Sequence, residues 1–264
     1  MNAPEPPSPS RASVLRAEVG PWAIELLPGA AYQARYIASQ AAIGFAFDSQ
    51  GGRHAIGSDR IRPFHALPNG LAMVPPGCDV FSESPRGGEY LRVLRTDGAL
   101  ALGERPFNDF IDPQAIALAQ RMRNALLRPG AADDWQTWAT ALCERAQAAL
   151  TASAASAGQP MTMPRLRTLD EFIDAHLGEP LTVQAMAALL GLSEGFFMRA
   201  FKQAVGKSPH SYLIDRRLAR ARLLLRDTTW GLAAIAQACG FASQAHMATL
   251  FKQRLGISPS ALRA

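Results

Sequence analysis

The last eighty residues of this 264-residue chain state one pattern twice. The first statement runs Ala185-Met186-Ala187-Ala188-Leu189-Leu190-Gly191-Leu192-Ser193, then Phe201-Lys202-Gln203, then Gly206-Lys207-Ser208-Pro209. The second runs Ala234-Ile235-Ala236-Gln237-Ala238-Cys239-Gly240-Phe241-Ala242, then Phe251-Lys252-Gln253, then Gly256-Ile257-Ser258-Pro259. Gly191 and Gly240 lie 49 residues apart, whereas Phe201 and Phe251 lie 50 apart. The second statement has therefore gained one residue after its glycine, where a turn between two helices is expected. A repeat that slips only in a turn marks a duplicated supersecondary unit.

Each copy reads as two helices around a tight turn. Thr182 is placed to cap a helix from Val183 to Leu190, Gly191 supplies the turn, and Ser193 caps the next helix. On that helix Phe197, Ala200, Phe201, Ala204 and Val205 recur at i, i+3, i+4, i+7 and i+8, which makes one buried face. Gly195, Met198, Arg199 and Lys202 form the opposite stripe. In the second copy Met247, Leu250, Phe251 and Leu255 form the buried stripe, Ala245, Ala248, Thr249 and Lys252 the outward one, and Ser243 is the cap. This is the layout of a helix-turn-helix, whose second helix offers its outward N-terminal residues to base edges in the major groove. An ordinary helical hairpin would share the apolar stripe, but it has no reason to repeat Phe-Lys-Gln and Gly-x-Ser-Pro. A long helix from His210 to Arg226, about 25 Å, joins the copies. That suits two recognition helices about one DNA turn apart, roughly 34 Å. It carries Arg216, Arg217, Arg220, Arg222 and Arg226, for phosphate contact or for neutralisation by Asp215 and Asp227.

The duplicated words A-x-x-x-G-[LF], F-K-Q and G-x-S-P make residues 165–264 resemble the DNA-binding domain of the AraC/XylS family of bacterial transcription regulators. The resemblance implies double-stranded DNA as partner. It places base contacts at Gly195, Met198 and Arg199 in the first unit and at Gln244, Ala245, Ala248 and Thr249 in the second. The expected phosphate contacts are Ser193, Lys202, Gln203, Ser243, Lys252 and Arg254. The second recognition helix departs from the family in being poor in donors. Ala245 and Ala248 offer only apolar contact, so hydrogen-bonded readout should fall mainly on Arg199.

Charge supports the same half. Residues 165–264 hold 13 basic and 7 acidic side chains, a net of +6, against 14 and 15 in residues 1–164, a net of −1. A localised basic excess is the footprint of nucleic-acid binding. The three cysteines, Cys78, Cys143 and Cys239, are far apart and lack CxxC spacing, which argues against a disulfide framework or a zinc site. With no apolar run near 18 residues, the expected compartment is the bacterial cytoplasm, with the protein on the nucleoid when bound to DNA.

The first half is built differently. Between Trp22 and Arg95, Pro/Gly turn signals separate about seven or eight short strand-like pieces, such as Ala42–Phe47, Leu71–Val74 and Tyr90–Leu94. This is the texture of a small barrel or jelly roll. Asp112-Pro113 then opens a helix to Leu127, striped with Ile116, Ala119, Met122 and Leu126, and a second helix runs from Asp133 or Asp134 to about Leu150.

The layout resembles the regulatory half of AraC-type proteins, where a cupin-like barrel often holds a small effector and the helices often make a homodimer. The expected fold is therefore α+β in two domains. A disordered tail (1–15) leads into a cupin-like β-barrel with a helical pair (16–150). A linker (151–164) then precedes an all-α domain of two helix-turn-helix units joined by a long helix (165–264). Arg35, Phe45, His54 and His65 are the candidate effector contacts. If the protein activates transcription, RNA polymerase is a further partner.

No catalytic residue, metal or cofactor is expected. A metal-dependent cupin enzyme needs a His-x-His pair, and His54 and His65 are eleven residues apart. A methyl-accepting repair protein needs four clustered cysteines, and only Cys78 and Cys143 precede the DNA-binding half. An N-terminal domain that binds only protein partners is the first alternative, and a metal-dependent cupin enzyme fused to a DNA-binding module, disfavoured by the missing His-x-His, is the second.

Overall fold

The computed structural model describes residues 14–97, 106–128, 134–152 and 161–263. The chain divides into two compact units, Met1–Ser156 and Ala157–Ala264. The expected tail falls almost wholly outside the described residues, as does most of the expected linker. At the linker's two ends the structure is helical, since one helix continues to Ala152 and the next begins at Met163.

The first unit contains β1 (Leu15–Val19), β2 (Trp22–Leu27), β3 (Tyr32–Ile37), β4 (Ala42–Ala46), β5 (Gln50–Ile56), β6 (Arg62–Ala66), β7 (Gly70–Val74), β8 (Asp79–Ser84), β9 (Tyr90–Arg95) and β10 (Phe107–Ile111). Two helices follow, α1 (Pro113–Leu127) and α2 (Trp135–Ala152). The strands do not close into one barrel, which corrects that expectation. They form a six-stranded antiparallel sheet in the order β1-β2-β9-β4-β7-β10 and a separate four-stranded sheet in the order β3-β8-β5-β6. The reason lies in the two faces of the larger sheet. A face that must bury against helices makes the sheet a layer with an inside and an outside.

That apolar face carries Ile24, Leu26, Ile43, Phe45, Leu71, Met73, Leu91 and Val93, all buried. Their cross-strand pairing puts them side by side, with Ile24 opposite Val93, Val93 opposite Ile43 and Ile43 opposite Met73. They share one core with Ala115, Ala119 and Met122 of α1 and with Ala139, Leu142 and Ala146 of α2. The expected stripe of α1, Ile116, Ala119, Met122 and Leu126, is buried as a whole. Asp112 secures this layer. Its Oδ1 accepts the Ala115 backbone N–H at 2.8 Å as the cap of α1, and Arg145 of α2 donates to its Oδ2. Glu89, just before β9, pairs with Arg123 of α1, whose guanidinium also lies 4.7 Å over the Phe47 ring.

The opposite face of the same sheet sets an ion pair among small apolar residues such as Ala23, Ala46 and Ala72. Glu25 and Arg92 are cross-strand partners, and Arg92 is also opposite Gly44. The Arg92 Nε donates to Glu25 Oε2 at 2.7 Å.

The second unit is all helix: α3 (Met163–Ala175), α4 (Val183–Leu189), α5 (Glu194–Val205), α6 (Pro209–Asp227), α7 (Leu232–Ala238), α8 (Gln244–Leu255) and α9 (Pro259–Arg263). The connecting helix α6 is one residue longer at each end than expected, because Ser208 caps it by accepting the Ser211 N–H and Pro209 is its first residue. At 19 residues it is about 28 Å long. It buries Tyr212, Leu213, Leu218, Ala221 and Leu225. Tyr212 packs on Phe201 of α5 with centroids 5.4 Å apart and donates its hydroxyl to Asp170 of α3.

Two substitutions probe these cores. Asp112→Ala removes a helix cap and strands Arg145, and should lower the unfolding free energy of the first unit by about 2 kcal/mol in urea titration. Phe201→Ala should cost about 3–5 kcal/mol and unfold the second unit first.

Candidate nucleic-acid interface

The two repeated units fold alike down to single hydrogen bonds. Gly191 and Gly240 both adopt positive φ, 66° and 74°, so each turn reverses where a side chain would be strained. Behind each, the next residue's N–H reaches back across the turn, Leu192 to Ala187 O at 3.0 Å and Phe241 to Ala236 O at 2.9 Å. Each recognition helix ends the same way, with the Gly206 N–H on Lys202 O and the Gly256 N–H on Lys252 O. The Ser of each Gly-x-Ser-Pro word caps the helix that follows, Ser208 for α6 and Ser258 for α9. The extra residue of the second copy sits in its turn, where four residues, 240–243, stand against three, 191–193.

Burial then decides which face of each recognition helix remains outward. On α5 all five expected core residues, Phe197, Ala200, Phe201, Ala204 and Val205, are buried. Met198, Arg199 and Lys202 are exposed and Gly195 is half-buried. Arg199 folds back along the helix, so that a Cβ on Gly195 would meet its Nη1 at 3.6 Å. On α8, Met247, Phe251 and Leu255 are buried, whereas Leu250 is only half-buried and so lies at the edge of the core. Gln244, Ala245 and Thr249 are exposed, and Ala248 is half-buried. The Thr249 hydroxyl donates to Ala245 O at 2.9 Å, which commits its proton to the helix.

The expected phosphate contacts fall into two groups. Lys202, Gln203 and Lys252 are exposed, and Lys202 and Lys252 form no ion pair among the described residues. Ser193 is exposed and makes no side-chain cap bond, unlike Ser243, which accepts the His246 N–H at 3.0 Å. Arg254 is held inward. Its Nη2 donates to Ser211 of α6 at 3.1 Å and its Nη1 lies 3.9 Å from Asp215.

Most α6 arginines are likewise fastened inside the unit. Arg216 pairs with Asp174 of α3, Arg217 donates to the carbonyls of Leu177 and Glu179, and Arg226 pairs with Asp227. Lys207 is tied to Asp215 at 2.8 Å. Arg220 of α6 remains exposed.

Sequence reasoning missed three outward groups. Phe196 and Leu189 are exposed apolar side chains of the first unit, and His246 is exposed beside the cap of α8. Phe196 was legible in principle. Two adjacent phenylalanines on a helix point about 100° apart, so Phe196 and Phe197 cannot both face the core.

In the first unit of the chain, the four expected effector residues do not come together. Phe45 belongs to the apolar face packed on the helices, with its ring 5.1 Å from Phe47. Arg35 is exposed, on the opposite side of β3 from Tyr32 and Tyr36. His65 neighbours Phe64 on β6 and so faces the other side, near Asp109. His54 alone lies beside the polar interior. It stacks on Phe64 at 4.7 Å, is the cross-strand partner of Ser82, and is held below its usual pKa by burial.

Comparison with known proteins agrees with this architecture. Residues 186–264 match the helix-turn-helix domain family. The transcriptional activator RhaS of Escherichia fergusonii is 31% identical over 163 residues, which is 61% of this chain and 59% of RhaS. The probable transcriptional regulator LumQ of Photobacterium leiognathi is 32% identical over 92 residues, 35% of this chain and 37% of LumQ. The chain thus spans well under two thirds of the length of either relative. Among solved structures, a transcriptional regulator with an AraC-type DNA-binding domain from Chromobacterium violaceum is 34% identical. It covers 38% of this chain and 89% of its own, with a TM-score of 0.37. Taken with the duplicated turn, cap and core, the family match makes residues 186–264 of this chain a helix-turn-helix domain.

Proposed function

We propose that the chain is a sequence-specific transcription regulator whose C-terminal unit grips two successive major-groove segments of double-stranded DNA. The observation that carries this reading is the outward face of α5 and α8. In both helices one side is core and the exposed cations, Arg199, Lys202 and Lys252, stand on the other, with no ion pair among the described residues. Base contacts are assigned to Gly195, Met198 and Arg199 and to Gln244, Ala245, Ala248 and Thr249. Lys202, Gln203, Ser193, Ser243 and Lys252 take phosphates. Arg254 is a phosphate contact only if it leaves Asp215, so it ranks below the two lysines.

In the same reading the first unit is a cupin-like sensor for a small effector and, through its helices, the homodimer contact. RNA polymerase is the partner when the protein activates transcription, and the cytoplasm is its compartment. An effector shifts DNA binding only by its differential affinity for the DNA-competent state.

Genome-wide footprinting of the full chain at two salt concentrations tests the reading. The expected motif has two elements about 10 base pairs apart. Salt-sensitive binding with no motif would overturn it.

Within that footprint, Arg199→Ala should lose about 1–3 kcal/mol of discrimination at one base position, read by competition with single-base operator variants. Lys252→Ala should weaken specific and random DNA equally and reduce the slope of log affinity against log salt by about one. Equal losses on all sequences for Arg199→Ala would assign that side chain to phosphate.

A further inference from the structure

The outward face of α5 carries apolar surface that phosphate contact does not explain. Phe196 is 40% exposed and Met198 43%, whereas Phe197, Phe201 and Val205 of the same helix are buried. They are the third and fifth residues of α5. At about 100° per residue, Arg199 lies between them around the axis, about 60° from Phe196 and 100° from Met198. The three therefore form one strip opposite the core. The Arg199 guanidinium reaches back to the same level, because a Cβ on Gly195, the second residue of the helix, would stand 3.6 Å from its Nη1. Arg199 has no ion-pair or hydrogen-bond partner among the described residues. Helix α8 repeats this chemistry in smaller form. Ala245 and Ala248 carry only methyl groups, and Thr249 has given its hydroxyl proton to Ala245 O.

The major groove offers such a strip two things. Guanine presents the acceptors N7 and O6, which suit a guanidinium, and thymine presents an apolar group, its C5 methyl. An apolar side chain left in water at the reading end of a recognition helix gains by covering that methyl. One buried methyl group is worth about fourfold in affinity. Phe196 and Met198 have no N–H or O–H with which to test the neighbouring ring position, where thymine carries an oxygen and cytosine an amino group. They sense the methyl and not the base that bears it. The same methyl on the same ring carbon is present in 5-methylcytosine.

We propose that α5 reads a C5-methylated pyrimidine next to the guanine taken by Arg199, with Phe196 and Met198 as the methyl contacts, so that 5-methylcytosine is bound in preference to cytosine and methylation of the operator strengthens binding. This rests on the DNA-binding reading above and deepens it by one residue, Phe196, and by the chemical group that the helix selects.

The test titrates the full-length protein with synthetic duplexes of the operator recovered by footprinting. Each thymine in turn is replaced by deoxyuridine, which removes the methyl and keeps the pairing. Next to the guanine where Arg199→Ala loses discrimination, deoxyuridine should weaken binding about threefold to fivefold. At the same position 5-methylcytosine should bind tighter than cytosine by about the same factor. In the double variant Phe196→Ala/Met198→Ala both differences should vanish. Both side chains are exposed and uncharged, so this variant should keep the thermal midpoint and the salt dependence of the parent. A merely structural role would weaken every duplex alike. A specific complex indifferent to each methyl, or methyl differences of full size in the double variant, would overturn the proposal and leave the DNA-binding reading standing. Failure to form any sequence-specific complex would overturn both.

Discussion

Burial of α6 is the constraint on which the presentation of the C-terminal unit depends. Tyr212, Leu213, Leu218, Ala221 and Leu225 hold it in the core, and it joins α5 of the first repeat to α7 of the second. Because Phe201 packs on Tyr212 and Arg254 reaches back to Ser211 and Asp215, each recognition helix is registered against the same rod. Asp170 and Asp174 of α3 bind Tyr212 and Arg216 from the far side. Arg216 and Arg217 of α6 are spent on this internal bracing. Outward charge comes from the recognition helices, through Arg199, Lys202 and Lys252, and from Arg220 of α6.

The first unit solves a different problem with one sheet. Strand alternation gives each face its own chemistry. On β9, Leu91 and Val93 go to the helices, while Tyr90 and Arg92 go to the opposite sheet. Glu89, adjacent to Tyr90, pairs with Arg123 of α1.

Much of the second unit was legible because its signals are local. Helix periodicity, the glycine turns and the Ser-Pro caps each act within a few residues, and the duplication let one copy check the other. The predicted core of α5 is the observed one, residue for residue. The partners of Arg216, Arg217 and Arg254 were not legible, because they lie about forty residues away in the chain at Asp174, Leu177 and Ser211, and nothing local announces them. The strands of the first unit were visible as strands. Their division into two sheets was not, since it depends on which face meets α1 and α2. For the same reason Phe45 drew attention as a pocket residue although it is core.

The single inserted residue in the second turn has a geometric consequence. The two repeats follow one another in the chain on either side of α6, and the longer turn, Gly240 to Ser243, keeps them from being interchangeable. Their outward faces differ as well, with Met198 and Arg199 on one and Ala245 and Thr249 on the other. A surface of this kind has a leading and a trailing end. A duplex lying along it meets two dissimilar readers in a fixed order, and the protein acquires a polarity on the duplex that a symmetric dimer of identical readers lacks.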